Sequence, residues 1–272
     1  NAVELAIVLE ELGRATDPTP YLATVTQFAP LAGERYQAGE AGTALYSGIT
    51  AHRATDGWVL SGTARYVLDG DRAEKFAVVT DGGTFVVDAA HAQVTRTEVF
   101  DPVLHVTDVT LADVRVGQDD RVHTDAERAH HVALMGISIT TVGACQRALD
   151  LVLAHVRDRH QFGVPIGSFQ AVQHKAVDMH VAIERARALA YFSALTISAD
   201  DPRRRLAAAM AKAAAGECQS AVFRHGLQLF GGMGFTWEND VQFALKRAKV
   251  GELMLGGAAE HRAVIANEYR GL

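Results

Sequence analysis

The stretch Trp58-Val-Leu-Ser-Gly-Thr-Ala-Arg-Tyr-Val-Leu68 is dominated by β-branched and aromatic residues that fit a pleated, half-buried surface. Phe76-Ala-Val-Val-Thr80, Thr84-Phe-Val-Val-Asp88 and Val103-Leu-His-Val-Thr-Asp-Val-Thr-Leu111 repeat the pattern, with Gly57, Gly70, Gly82 and Gly83 as turn signals. Short strands at this spacing predict an antiparallel sandwich or barrel over residues 44–116. From Thr124 onward the pattern turns helical. Long helices are predicted at 125–158, 167–198, 202–230 and 239–253, with a fifth at 258–270. Ala207-Ala-Ala-Met-Ala-Lys-Ala-Ala-Ala215 favours helix strongly. The breaks fall at Gly163-Val-Pro165, Asp201-Pro202 and Gly231-Gly-Met-Gly234. Ahead of the β block, Val3, Ile7 and Leu12 with Glu10 and Glu11 predict one helix ending near Gly13. Pro18, Pro20 and Pro30 bracket a second, shorter helical stretch. A β block followed by a helical bundle is an α+β chain. The expected domains are 1–33 (helical), 34–120 (β) and 121–272 (helical bundle).

Composition narrows the function. The 272 residues carry a formal net charge of −6, which excludes a nucleic-acid or anionic-membrane binder held by bulk charge. Hydrophobic residues make up 49%, enough for a core. No continuous apolar run has the length of a bilayer span, so no membrane helix is expected. Asn1 to Arg14 contains Glu4, Glu10 and Glu11 without a basic flank and does not read as a signal peptide. Cys145 and Cys218 lie inside predicted helices, so no disulfide framework is expected and a cytoplasmic location is the default. The 12 histidines show no metal-ligand spacing; His130, His131, His174 and His180 read as helix-surface or packing residues. There is no nucleophile elbow and no phosphate loop. The glycine-rich Gly231–Phe235 follows a helix instead of a strand, so it is not a dinucleotide fingerprint and by itself reads as a helix end and turn.

Three ordered segments add more. They are Arg159-His-Gln-Phe-Gly163 with its continuation to Gln170, Gly226-Leu-Gln-Leu-Phe-Gly-Gly-Met-Gly-Phe-Thr-Trp-Glu238, and Lys246-Arg-Ala-Lys-Val-Gly-Glu-Leu-Met-Leu-Gly-Gly-Ala-Ala-Glu-His-Arg262. Together they resemble the C-terminal domain of acyl-CoA dehydrogenases. Leu5-Ala-Ile-Val-Leu-Glu-Glu-Leu-Gly-Arg14 and Gly57-Trp-Val-Leu-Ser-Gly62 resemble that family's earlier helix and its middle β domain. The resemblance implies an acyl-CoA dehydrogenase-like α+β fold: an N-terminal helical remnant shorter than usual, a middle antiparallel β domain and a C-terminal four-helix bundle.

The resemblance also implies FAD lying across a subunit interface, its ring held mainly by one chain and its ADP half reaching the neighbour. Arg159 falls on the pyrophosphate, which a fixed guanidinium fork suits. Gln161 and Phe162 fall beside it, Phe169 and Gln170 near the adenosine, and Gln228, Gly231 and Gly232 complete the ADP site. Glycines there let backbone N–H groups approach without a Cβ.

The family's reaction moves a hydride from the acyl β-carbon to the flavin and gives the α-proton to a carboxylate. The usual position of that base aligns with Leu255, and the alternative position on the first long bundle helix with Ala133. Neither accepts a proton, so no catalytic residue is expected in this chain. Glu127 lies on another face of its helix, and Glu252 and Glu260 read as non-catalytic. Ring contacts are missing as well. Gly39–Gly48 lacks the family's Thr-Glu-Pro and Gly-Ser-Asp-like motif, Tyr66-Val-Leu68 replaces a hydroxyl-bearing ring segment, and Gly257-Ala258 replaces a Thr-Ser pair.

The losses fall on the ring-and-base half, while the ADP half is intact. This resembles the base-less subunit of actinobacterial heteromeric (α2β2) dehydrogenases of steroid side-chain CoA thioesters, as in cholesterol degradation. Such a chain would be inactive alone and would complete the FAD site of a homologous partner carrying the Glu, with an electron-transfer acceptor reoxidising the flavin. The alternatives are a homo-oligomeric dehydrogenase with a relocated base and a non-catalytic acyl-CoA-binding or assembly protein.

Overall fold

The computed structural model describes residues 1–270. Two compact units emerge: residues 18–133, and residues 1–17 together with residues 134 onward. These boundaries differ from the expected ones at 33 and 120, because the first helix groups with the C-terminal bundle and residues 18–33 group with the β elements.

The unit of residues 18–133 opens with single helical turns, α2 (Tyr21–Ala23) and α3 (Ala29–Ala32), flanking a π-helical turn at Thr24–Phe28. Eight strands follow: β1 (Gly42–Leu45), β2 (Ile49–Ala54), β3 (Gly57–Leu68), β4 (Lys75–Thr80), β5 (Gly83–Asp88), β6 (Ala92–Thr97), β7 (Val106–Val116) and β8 (Arg121–Val122). They form two four-stranded sheets, ordered β1-β4-β5-β8 and β2-β3-β7-β6. Pairing is antiparallel as expected, except for β1 with β4, which run parallel. Leu45, Leu60, Phe76, Val78, Phe85, Val109 and Leu111 fill the space between the sheets. Strand β3 shifts register against β7 between Ala64 and Val67. Tyr66 lies in that shift with φ 57° and stands 67% exposed, while Val67 and Leu68 turn inward.

The other unit contains α1 (Ala2–Ala15) and the helices of the bundle. These are α4 (Ala126–Asp158, beginning before the unit boundary), α5 (Gln170–Ser198), α6 (Arg204–Phe230), α7 (Val241–Leu253) and α8 (Ala258–Arg270). Between α4 and α5 runs a hairpin of β9 (His160–Gln161) and β10 (Val164–Pro165). Helix α4 is long and apolar enough to cross a membrane, but 89% of that stretch is buried inside the protein. Helix α6 presents Ala207, Ala208, Ala211, Val222 and Lys212 with no exposure at all. Alanines on that face let neighbouring helices come close.

Helix α1 is fixed at its start by a capping box between Asn1 and Glu4. Its buried face is Ala6, Leu9, Glu10 and Gly13, not the predicted stripe through Val3, Ile7 and Leu12; Ile7 is 53% exposed. The reason is backbone proximity. A Cβ on Gly13 would fall inside the Thr140 carbonyl, and one on Gly143 inside the Glu10 carbonyl, so the glycines decide which side of α1 meets α4. Glu10 then accepts from Arg187 Nε at 2.7 Å and from Tyr191 Oη at 2.9 Å, while Arg187 Nη2 reaches Gln146 Oε1 at 2.9 Å.

Candidate functional site

The C-terminal ends of α4 and α6 form one locality. The His155 ring stacks on Phe230 with centroids 4.6 Å apart, joining the turn before Arg159 to the residue before Gly231. Burial lowers the His155 pKa, the Arg159 charge lowers it further, and Asp158 opposes both. A neutral His155 leaves Arg159 as the cation of this corner. The hairpin that follows turns through Phe162 and Gly163, at φ 55° and 80°. Positive φ at both central residues is the geometry of a type I′ turn, which matches the twist of a two-residue hairpin. The hairpin closes with Ile166 N–H donating to Arg159 O at 2.8 Å. Phe162 is thereby held 93% exposed, edge-on to Phe169 at 6.2 Å.

Polar groups here are left open. The Arg159 side chain is exposed and makes no ion pair or hydrogen bond among the described residues. Gln228 is exposed and likewise unpartnered, and Gln170 is exposed at the first turn of α5. Gln161 folds back, its Nε2 donating to His160 O at 2.7 Å. Gly231 has φ 60° and ψ −139°, a backbone open essentially only to glycine. A Cβ on Gly163, Gly231 or Gly232 would meet nothing within 4 Å. Met233, Phe235 and Trp237 are exposed just beyond, with Lys246 Nζ over the Trp237 ring at 4.1 Å.

The structure thus brings the hairpin group (Arg159, Gln161, Phe162, Phe169) and the turn group (Gln228, Gly231, Gly232) to the ends of two helices tied by one ring stack. The exposed Arg159 guanidinium suits a pyrophosphate and offsets the negative helix C-termini beside it, and the exposed aromatic faces suit an attached base. Sequence reasoning missed His155 and Lys246; their only signals are a histidine one helical turn before Arg159 and a lysine on the helix following Trp237. A separate groove of about 450 Å³, lined by Glu11, Arg14, Thr16, Arg147, Asp240 and Phe243, shares no residue with this locality.

The positions aligned with the catalytic base look different. Leu255 lies in the α7–α8 loop, half-buried, with φ 54°. Ala133 is fully buried in α4. Glu252 is committed to Lys249 at 2.9 Å, while Glu127 and Glu260 are exposed. In the β unit, Tyr46 follows β1 where the ring motif is missing. It is half-buried with its hydroxyl enclosed, edge-on to His130 at 5.5 Å, and desolvation raises its hydroxyl pKa well above the usual phenol value. Leu68, in place of the ring-contacting hydroxyl, is buried.

The fold defines a class: a chain with a β domain and a helical bundle, of the acyl-CoA dehydrogenase type. The chain belongs to the acyl-CoA dehydrogenase family, whose C-terminal domain matches residues 126–269. It is therefore a member of a family of FAD-dependent oxidoreductases. The acyl-CoA dehydrogenase IpdE2 of Mycolicibacterium smegmatis is 35% identical over 94% of this chain and 76% of the relative. A chain of the ChsE4–ChsE5 complex from Mycobacterium tuberculosis superposes with a TM-score of 0.92 at 25% identity, over 100% of this chain and 81% of that one. A chain of the Tcur3481–Tcur3483 steroid acyl-CoA dehydrogenase gives 0.85 at 26% identity, over 98% and 80%.

Proposed function

We propose that this chain is the base-less subunit of a heteromeric acyl-CoA dehydrogenase, inactive alone, that completes the FAD site of a homologous partner carrying the catalytic Glu. The observation that carries the reading is an asymmetry. Among the described residues the Arg159 and Gln228 side chains have no partner, and a Cβ on Gly231 or Gly232 would meet nothing, while both base positions hold aliphatic side chains. In this role Arg159 pairs with the pyrophosphate, and Gly232 lets the backbone come close to the same anion without a Cβ in the way. Phe162 and Phe169 offer faces to the adenosine end, with Gln161, Gln170 and Gln228 as polar neighbours. FAD, when bound, supplies the hydride acceptor. This chain's part is to bind and orient the ADP half and to exclude water from it.

The two-chain composition of the ChsE4–ChsE5 complex supports a partner of the same fold, and an α2β2 assembly suits closed symmetry. The steroid acyl-CoA dehydrogenase among the similar structures supports a steroid side-chain CoA thioester as the substrate, desaturated between its α- and β-carbons. We place this activity in the cytoplasm, with an electron-transfer protein as the flavin's oxidant.

Native mass spectrometry with flavin quantitation tests the reading, on the chain expressed alone and with a candidate homologous subunit. The expected result is no FAD on the lone chain and one FAD per two chains in the pair. One FAD per protomer of the lone chain overturns it.

A further inference from the structure

The α7–α8 loop is held from beneath by a lysine. Lys212, on the inner face of α6, has no exposed surface. Its ammonium donates to Glu252 O at 2.8 Å and to Gly256 O at 2.6 Å. From the other flank His261 Nε2 donates to Leu255 O at 2.8 Å. Between these anchors the backbone turns through Leu255 at φ 54° and Gly256 at φ 91°. A leucine resists that conformation because its Cβ crowds the following carbonyl. A buried ammonium is equally unfavourable unless its protons find acceptors.

Each feature accounts for the other. The last carbonyls of α7 have no partner within their helix, and they lie at its negative end. The ammonium donates to one of them, Glu252 O, and to the loop carbonyl of Gly256, and both supply acceptors to it. Desolvation brings the Lys212 pKa down to about 8, opposed by the charges of Glu252 and Glu260. The other charged groups of this corner are His261, whose pKa burial lowers, and Lys249, which is paired with Glu252.

We propose that Lys212 is the positioning residue of this loop: with His261 it imposes the left-handed turn at residue 255, the position aligned with the family's proton acceptor. The lysine acts on backbone carbonyls, so it holds the same turn whichever side chain stands at 255. That explains how a chain with leucine there keeps a strained turn that leucine itself does not favour. The inference does not depend on whether the chain completes a partner's FAD site, and its test uses the lone chain.

The test is hydrogen exchange of the amides of residues 253–258 in the full chain. Lys212→Met is expected to speed their exchange by at least about tenfold, the equivalent of one charge-assisted hydrogen bond, while α5 keeps its protection. Leu255→Gly, which relieves the turn, is expected to slow loop opening several-fold in the otherwise native chain and to do nothing in Lys212→Met. A pH profile adds a readout that packing alone would not move. The closed loop holds the amine near 8, whereas a released, solvated lysine titrates near 10.5. The closed state therefore binds fewer protons in that window, and raising pH favours closure. Exchange corrected for its intrinsic rate should fall as pH rises through the window, and Lys212→Met should lose this dependence. Unchanged loop exchange in Lys212→Met, or additive effects with a flat profile, overturns the proposal. If Lys212→Met does not fold, His261→Ala removes the third anchor and reports the same coupling to Leu255→Gly.

Discussion

Two ends of the helical unit treat their polar groups in opposite ways. At the ends of α4 and α6, the Arg159 and Gln228 side chains have no partner among the described residues, and a Cβ on Gly231 or Gly232 would meet open space. At the α7–α8 loop, the carbonyls of Glu252, Leu255 and Gly256 are all engaged by Lys212 and His261, and Glu252 is paired with Lys249. Folding tends to satisfy polar groups internally. One corner leaves a guanidinium and an amide to solvent, beside exposed Phe162, Phe235 and Trp237, where a ligand can reach them. The other corner holds its backbone from within. The same asymmetry separates the corner proposed to receive the cofactor from the aligned base position.

The strongest way to break this comparison is Arg159→Ala. It should weaken FAD binding by the partner complex by about 2–5 kcal/mol, as for a lost buried charge pair, with no effect on this chain's folding. Unchanged flavin occupancy by absorbance would remove the arginine from the ADP site.

The paired glycines sharpen it further. Gly143→Ala forces a Cβ into the Glu10 carbonyl and should destabilise the chain by about 1–3 kcal/mol in urea titrations, as overpacking does. Gly232→Ala meets nothing and should leave the urea midpoint in place while lowering flavin occupancy of the complex. Equal midpoints for both variants would contradict the distinction between packed and open backbone.

Leu255→Glu restores a carboxylate at the aligned base position but not the ring contacts, so the lone variant should show no acyl-CoA dehydrogenation. Turnover in a dye-reduction assay would mean that the scaffold end is a working site.

The smallest effect is acid sensitivity. Burial lowers the pKa of His155, His225 and His261, aided by the charges of Arg159, Lys175 and Lys212. Their folded pKa values lie below 6.5, so the unfolded chain binds more protons as pH falls. Stability should then be full above 6.5 and decline below it. His155→Phe should reduce the slope of Tm against pH while keeping the stack on Phe230.

Much of the fold was legible because its signals are local. The runs at 58–68, 76–80 and 84–88 and the helices at 125–158 and 258–270 lie within a residue or so of their observed bounds. Helices expected from 167, 202 and 239 start two or three residues later, since Pro165 and Pro202 and their neighbours take up turns first. Strands β1, β2 and β6 carry a weaker signal, being short or polar on alternate residues, and β1 pairs with a strand some distance along the chain.

The sequence by itself determined the class of elements, the family and the absence of a carboxylate at Leu255 and Ala133, because residue identity and short-range periodicity are written along the chain. Tertiary structure alone decided that α1 turns Ile7 outward and packs through Gly13 and Gly143. It also decided that β1 runs parallel to β4, that His155 joins α4 to α6, and that Lys212 lies beneath residue 255. Each of these rests on close approach between backbone or side chains far apart in sequence, and such proximity exists only once the chain has folded.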